Sequence, residues 1–265
     1  MSSKRLLFRL GFFYLNLIGF FSRLLPRRFA LWLAILVGNL YWAVMKKDRA
    51  MVKRNLSQIL ANPSEAGKIA RRTFVRYAQY LVDYTRMDLL KRDNLGCLVN
   101  GFQGREHIDR ALSQGKGAMI LTAHLGNWEM GGVFLSLLGY SLNVITAPDV
   151  AARLHDYRVR LRQEQRIKVI TLNDTLSSSL AVFKALKENG LVALLGDREL
   201  MGKGIPVKFF GQKVYFPVGP ALLAHLSEAA LIPTFVLMGE DGKDLCLAEP
   251  PLPIQKTGNR DEDLA

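Results

Sequence analysis

Cysteine is almost missing from the 265 residues, with only Cys97 and Cys246 present. The two sit far apart at no metal-ligand spacing, so buried free thiols are expected, and neither a zinc module nor a disulfide framework is predicted. No G-x-S-x-G turn occurs, which excludes a serine nucleophile carried on a strand-to-helix elbow. No H-E-x-x-H occurs, and the five-residue step from His124 to Glu129 does not align two ligands on one helical face, so no metal is predicted. Internal repeats and low-complexity tracts are absent as well. Acidic residues are scarce at one end. Residues 1–54 carry eleven Lys and Arg against Asp48 alone, so +10 of the formal +13 lies there.

What separates those basic residues decides what attracts them. Residues 10–22 (LGFFYLNLIGFFS) and 29–45 (FALWLAILVGNLYWAVM) contain no charge. Uninterrupted aliphatic and aromatic runs suit lipid, whereas nucleic-acid surfaces interleave aromatics with polar groups, so nucleic acid is not an expected partner. A cleaved signal peptide is not expected, because residues 22–28 (SRLLPRR) lack a small-x-small site. A full span needs about 20 apolar residues, and the longer run has 17. Basic clusters flank both runs: Lys4, Arg5 and Arg9; Arg23, Arg27 and Arg28; then Lys46, Lys47, Arg49, Lys53 and Arg54. One crossing puts a cluster on the wrong side, whereas two helices turning at Pro26 and dipping into one leaflet keep every cluster at the headgroups. A single tilted span is the alternative. The expected organisation is a basic apolar helical membrane anchor over residues 1–50 and an α/β domain over 51–265.

A helical pattern runs from about residue 64 to 90, with Ile69, Phe74, Tyr77, Leu81 and Val82 at helical spacing and Ser64 as N-cap. Beyond it, short β-branched runs alternate with helical ones. Strands are predicted near 97–102, 118–123, 142–146, 168–172, 191–195, 231–238 and 243–248, and helices over 105–114, 129–138, 150–165, 176–189 and 218–229. The fold class is α/β, a mixed, largely parallel sheet flanked by helices. The polar tail over 250–265 ends without a closing element and reads as truncated.

The sharpest local signal is 122–129 (TAHLGNWE), directly after the apolar run 118–121. It puts His124 at the carboxyl end of a strand, where open α/β sheets hold ligands. Gly126 permits a tight turn, so Glu129 at the start of the next helix can fold back toward the imidazole. A hydroxyl attacks poorly until a base takes its proton, and neutral imidazole suits that task; a carboxylate on the other ring nitrogen fixes the tautomer. His124 and Glu129 are therefore the candidate catalytic pair. Backbone N–H groups around Gly126 and Asn127, with the following helix N-terminus, are the candidate oxyanion donors.

The form H-x-x-x-x-E at His124 and Glu129 stands in a wider set of blocks. Gly101-x-x-Gly104-x-Glu106-His107 precedes a helix, Gly115-Lys-Gly117 leads into the strand, and Gly196-Asp197-Arg198-Glu199 follows a later one. Residues 207–211 (VKFFG), 216–221 (FPVGPA) and 230–233 (ALIP) complete the set. In this order, over roughly residues 49–240, the chain resembles the lysophospholipid acyltransferase superfamily, and specifically the late acyltransferases of lipid A biosynthesis. The resemblance implies a glycerolipid-acyltransferase-like fold and transfer of a fatty acyl chain from an acyl carrier protein or CoA thioester to a lipid hydroxyl, most directly on a lipid A precursor. It implies no cofactor beyond that donor, membrane lipids and an acyl carrier protein as partners, and the cytoplasmic face of a bacterial inner membrane. Three features differ from the family pattern: Ala147 where an arginine is frequent, Asp197-Arg198-Glu199 where D-Q-D is frequent, and no further basic, aromatic C-terminal helix.

Asp197, Arg198 and Glu199 are expected to bind the acceptor, Arg198 through a phosphate that its fork geometry matches. Along the basic helix, Arg158, Arg162 and Arg166 are candidates for docking an acidic donor. The remaining histidines, His107, His155 and His225, are not expected to be catalytic. The aromatics Phe209, Phe210, Tyr215 and Phe216 suit either an acyl groove or ordinary packing. Two rival readings stay open: a lysophospholipid, ornithine lipid or mannosylated inositol lipid as acceptor, and a membrane-bound esterase or thioesterase in which His124 activates water. A lipid-binding scaffold without activity is a third.

Overall fold

The alternation of β-branched and helical segments builds an α/β sheet in the computed structural model, which describes residues 19–149, 151–172, 175–199, 202, 204–254 and 257. Lys4, Arg5 and Arg9, most of the first apolar run, Met201, Lys203 and nearly all of the tail beyond Ile254 lie outside the described residues. The chain divides into two units, one running to Met87 with Phe209–Gln212 grouped to it, the other comprising Asp88–Lys208 and Lys213–Ala265.

The first unit is helical. Its helices are α1 (Arg27–Val44), α2 (Lys46–Ile59) and α3 (Ala66–Tyr84). Pro26 precedes α1 with φ −54° and ψ 142°, an extended setting that breaks the helical stretch over 19–24, as proline at this point predicts. The unit extends past residue 50 because α1 packs on α3, not because of any composition change: Ala30 and Ala34 pack with Val82. Gly38 sits so close to α3 that a Cβ there would lie 2.7 Å from Val75 Cα. Small residues thus face inward, while Phe29, Trp32, Leu36, Leu40 and Val44 are exposed. This is the inverse of an amphipathic helix on a water-soluble core. Arg27 holds Asp83 with two hydrogen bonds of 2.8 and 2.9 Å. The expected cap at Ser64 is corrected: Asn62 accepts from Ser64 N–H at 3.2 Å and caps the 3₁₀ turn Pro63–Glu65, and α3 begins after it without a side-chain cap. No single helix among the described residues is long and apolar enough to cross a membrane; α1 and α2 meet that test only as a pair bent by 94°.

The second unit carries a seven-stranded sheet. Its strands are β1 (Val99–Gln103), β2 (Ala118–Thr122), β3 (Leu142–Thr146), β4 (Lys168–Thr171), β5 (Leu191–Leu195), β8 (Ala230–Met238) and β9 (Asp244–Ala248), in the order β1-β9-β8-β2-β5-β3-β4. From β8 to β4 all neighbours are parallel; β9 turns back antiparallel to β8, and β1 runs parallel to β9. Helices α4 (Arg105–Ser113), α5 (Trp128–Leu137), α6 (Ala152–Glu164), α7 (Thr175–Lys187) and α8 (Gly219–Ser227) connect them. The seven strands and five helices fall where hydrophobic patterning places them. The segment 205–216 adds β6 (Ile205–Phe209) and β7 (Gln212–Phe216), a separate two-stranded sheet that the patterning does not signal. One core face joins Met119, Val192 and Leu231 of the sheet to Val182 and Leu186 of α7 and Ala224 of α8. Burying each large apolar side chain there contributes about 1.5–3 kcal/mol.

Candidate active site

Parallel register brings the site together. Thr122 at the end of β2 pairs with Leu195 at the end of β5, so residues two positions further on, His124 and Asp197, emerge side by side on the same rim. His124 Nδ1 lies 2.9 Å from Asp197 Oδ1, and His124 backbone N–H donates to Asp197 Oδ2 at 3.1 Å. A carboxylate only accepts, so Nδ1 carries the proton of this bond, and in the neutral ring Nε2 is then the proton acceptor. The Trp128 ring stands edge-on to the imidazole, with centroids 5.0 Å apart.

This corrects the pairing expected from the sequence. Glu129 does begin α5, but its carboxylate is held by Arg162 of α6, with Nε to Oε2 at 3.1 Å and Nη2 to Oε1 at 2.5 Å. Both side chains are largely buried, at 8% and 11% exposure. Glu129 turns away because a two-donor fork on the neighbouring helix satisfies both of its oxygens. Arg162 therefore belongs to the site and not to an outward docking face. Arg158, one helical turn earlier, is bonded to Asp149 at 2.8 Å, while Arg166 is exposed at the helix end with φ 59°. The three arginines present no common surface.

The turn between β2 and α5 is pinned to β8. Gly126 has φ +66°, and a Cβ there would fall on the Val236 carbonyl oxygen, which instead accepts Asn127 N–H at 3.0 Å. Leu125 N–H donates to Ala123 O. Two of the expected oxyanion donors are thus committed within the protein. The Asn127 side chain is fully buried, and its Nδ2 donates to Asp244 Oδ2 at 3.3 Å.

His124, Glu129 and Arg162 line a cavity of about 670 Å³. Consecutive residues of β3 and of β5 line it, among them Val144 and Ile145, so it reaches both faces of the sheet at this rim. Its walls are mainly apolar, with Phe134 and Leu135 of α5 on one side and Leu222 and Leu223 of α8 on the other. The volume lies within the range of ligand pockets. Ala147, Arg198 and Glu199 also reach it, and Arg198 is exposed. Cys246 borders it too; burial, then the Asp244 charge, pushes its thiol up to about 12, which removes it as a nucleophile. Phe209, Phe210, Tyr215 and Phe216 do not line the cavity, nor do His107, His155 and His225. His155 sits 3.6 Å from Asp149 Oδ2. Among the described residues no three His, Cys, Asp or Glu gather as a metal site.

The model of the bacterial lipid A biosynthesis acyltransferases covers residues 2–263. The chain belongs to that family. It is also similar to phosphatidylinositol mannoside acyltransferases of two Mycobacterium tuberculosis strains, with 28% identity over 187 residues, 69% of this chain and 59% of theirs. Against the protein of the same description from Mycolicibacterium smegmatis the identity is 27% over 194 residues, 72% of this chain and 64% of that one. The chain thus spans under two thirds of the length of these curated relatives.

Proposed function

We propose that the protein is a membrane-surface O-acyltransferase that moves a fatty acyl group from a thioester donor to a hydroxyl of a glycolipid acceptor. The observation that carries this is the His124–Asp197 pair at 2.9 Å, opening on a mainly apolar cavity. His124 Nε2 takes the hydroxyl proton as the oxygen attacks the thioester carbonyl, Asp197 stabilises the imidazolium, and the proton passes to the departing thiolate sulfur. Gly126 N–H and the first turn of α5 meet the developing oxyanion. Glu129 and Arg162 hold the wall beside the base, so Glu129 acts on substrate placement and not on the imidazole. No cofactor beyond the donor takes part. The donor is an acyl carrier protein or CoA thioester. For the acceptor, the family description favours a lipid A precursor and the relatives favour a mannosylated inositol lipid; Arg198, exposed at the rim, is the residue for its phosphate. The outward-facing large side chains of α1, bounded by Arg27, Arg28, Lys46 and Lys47, support membrane association; the cytoplasmic face of the inner membrane is the side proposed.

The test is transfer by the full chain in anionic vesicles, with palmitoyl-CoA and palmitoyl carrier protein each offered against a lipid A precursor, a phosphatidylinositol mannoside and a lysophospholipid. An acylated glycolipid that disappears with His124→Ala is expected. Thioester loss at the same rate with and without acceptor would overturn the reading in favour of a thioesterase.

A further inference from the structure

The hairpin β6–β7 turns through Phe210 and Gly211, both in the left-handed region at φ 47° and 77°. A two-residue hairpin turn of this type favours Asn-Gly or Asp-Gly, because a bulky side chain at positive φ crowds its own backbone. Phe210 is therefore unfavourable for the turn, and at 56% exposure it is unfavourable in water as well. A lone exposed aromatic needs no explanation, but one that also occupies an asparagine position does. Phe209 stands edge-on to it, with ring centroids 4.6 Å apart, and is half-exposed too. Lys208 and Lys213 flank the pair and are exposed, Lys213 Nζ lies 5.6 Å from the Tyr215 ring, and no acid occurs anywhere in 205–216.

We propose that this hairpin tip is a membrane-insertion finger: Phe210 enters the acyl boundary of an anionic bilayer while Lys208 and Lys213 meet headgroup phosphates. Apolar surroundings offset the cost of keeping phenylalanine in the turn, and the positive charge of a segment without acids matches anionic lipid. Two rings at the end of a two-residue turn are too small a surface for a stable protein interface, which needs about 800 Å² on each partner. A bilayer accepts a few inserted groups. The finger is independent of the chemistry proposed for His124.

Phe210→Asn in the full chain separates fold from function, since Asn-Gly is the favoured turn. Its thermal midpoint is expected to equal or exceed that of the unaltered protein. Its partition onto phosphatidylglycerol-containing vesicles is expected to fall about tenfold or more. Lys208→Gln with Lys213→Gln is expected to weaken partition onto anionic vesicles by roughly tenfold and to leave binding to pure phosphatidylcholine unchanged. In detergent, Phe210→Asn keeps the unaltered transfer rate, so an absence of transfer in every form refutes the acyltransferase reading and leaves the finger to be judged on partition. Unchanged partition of Phe210→Asn, a lowered midpoint, or no vesicle binding by the unaltered protein would overturn the finger. Loss of binding to an acidic carrier protein with vesicle partition intact would overturn it in favour of a protein contact.

Discussion

Replacing Arg162 with methionine strands the Glu129 carboxylate in the wall of the cavity. The side chains are 8% and 11% exposed and share two hydrogen bonds, so removing one partner leaves a charge that water cannot reach freely. Breaking a buried pair in this way costs about 3–5 kcal/mol. For a chain of this size each kcal/mol shifts the midpoint by about 2–4 °C, so a fall of roughly 6–20 °C is expected for the sheet unit. Tryptophan fluorescence during thermal unfolding of the detergent-held protein reads it, because Trp128 adjoins Glu129 in the chain. Adding Glu129→Leu to Arg162→Met removes the stranded charge and recovers most of the loss, which makes the cycle strongly non-additive. A loss below about 1 kcal/mol for Arg162→Met, the value of a solvent-exposed pair, would show that Glu129 is not sealed from water.

Gly126→Ala forces a Cβ onto the Val236 carbonyl at positive φ; a loss of about 1–3 kcal/mol and a collapse of turnover are expected from thermal unfolding and initial rates, and wild-type values for both would show that the turn is not held against β8. Asp244→Ala leaves the buried Asn127 Nδ2 without this acceptor, so stability falls by about 1–3 kcal/mol in chemical unfolding. The Cys246 thiol, raised to about 12 by burial and then by the Asp244 charge, stays neutral below that pH. At pH 8 the thiolate fraction is on the order of 10⁻⁴. Peptide mass spectrometry after iodoacetamide treatment of the native protein at pH 8 is therefore expected to find Cys246 unmodified, and rapid labelling would show that the thiol is not enclosed.

The strands were legible because each is a short apolar run closed by a turn signal, and His124 was legible because it follows one of them. Partner choice was not, because it depends on which strands are neighbours. Glu129 is near His124 in the chain, whereas Asp197 becomes its neighbour only because β5 lies beside β2 with Thr122 opposite Leu195. The signal for Asp197 was present in its position just past a strand on the same rim, yet sequence alone pointed to acceptor binding. Arg162 was visible only as one charge in a basic helix; that it faces inward depends on how α6 packs. The hairpin β6–β7 escaped patterning because its turn is Phe-Gly, without the Asn or Asp that normally precedes the glycine. The N-terminal unit reached past residue 50 because helix packing between α1 and α3, not composition, sets its limit.

We infer that Asp197, and not Glu129, orients the base, and the Asp197→Asn variant tests it. An amide in place of the carboxylate loses the charge that holds Nδ1–H and stabilises the imidazolium, so acyl-transfer turnover should fall by about 10²–10⁴ at an unchanged thermal midpoint. Turnover within about threefold of the unaltered enzyme, in a variant shown to be folded, would show that the base does not depend on the Asp197 carboxylate.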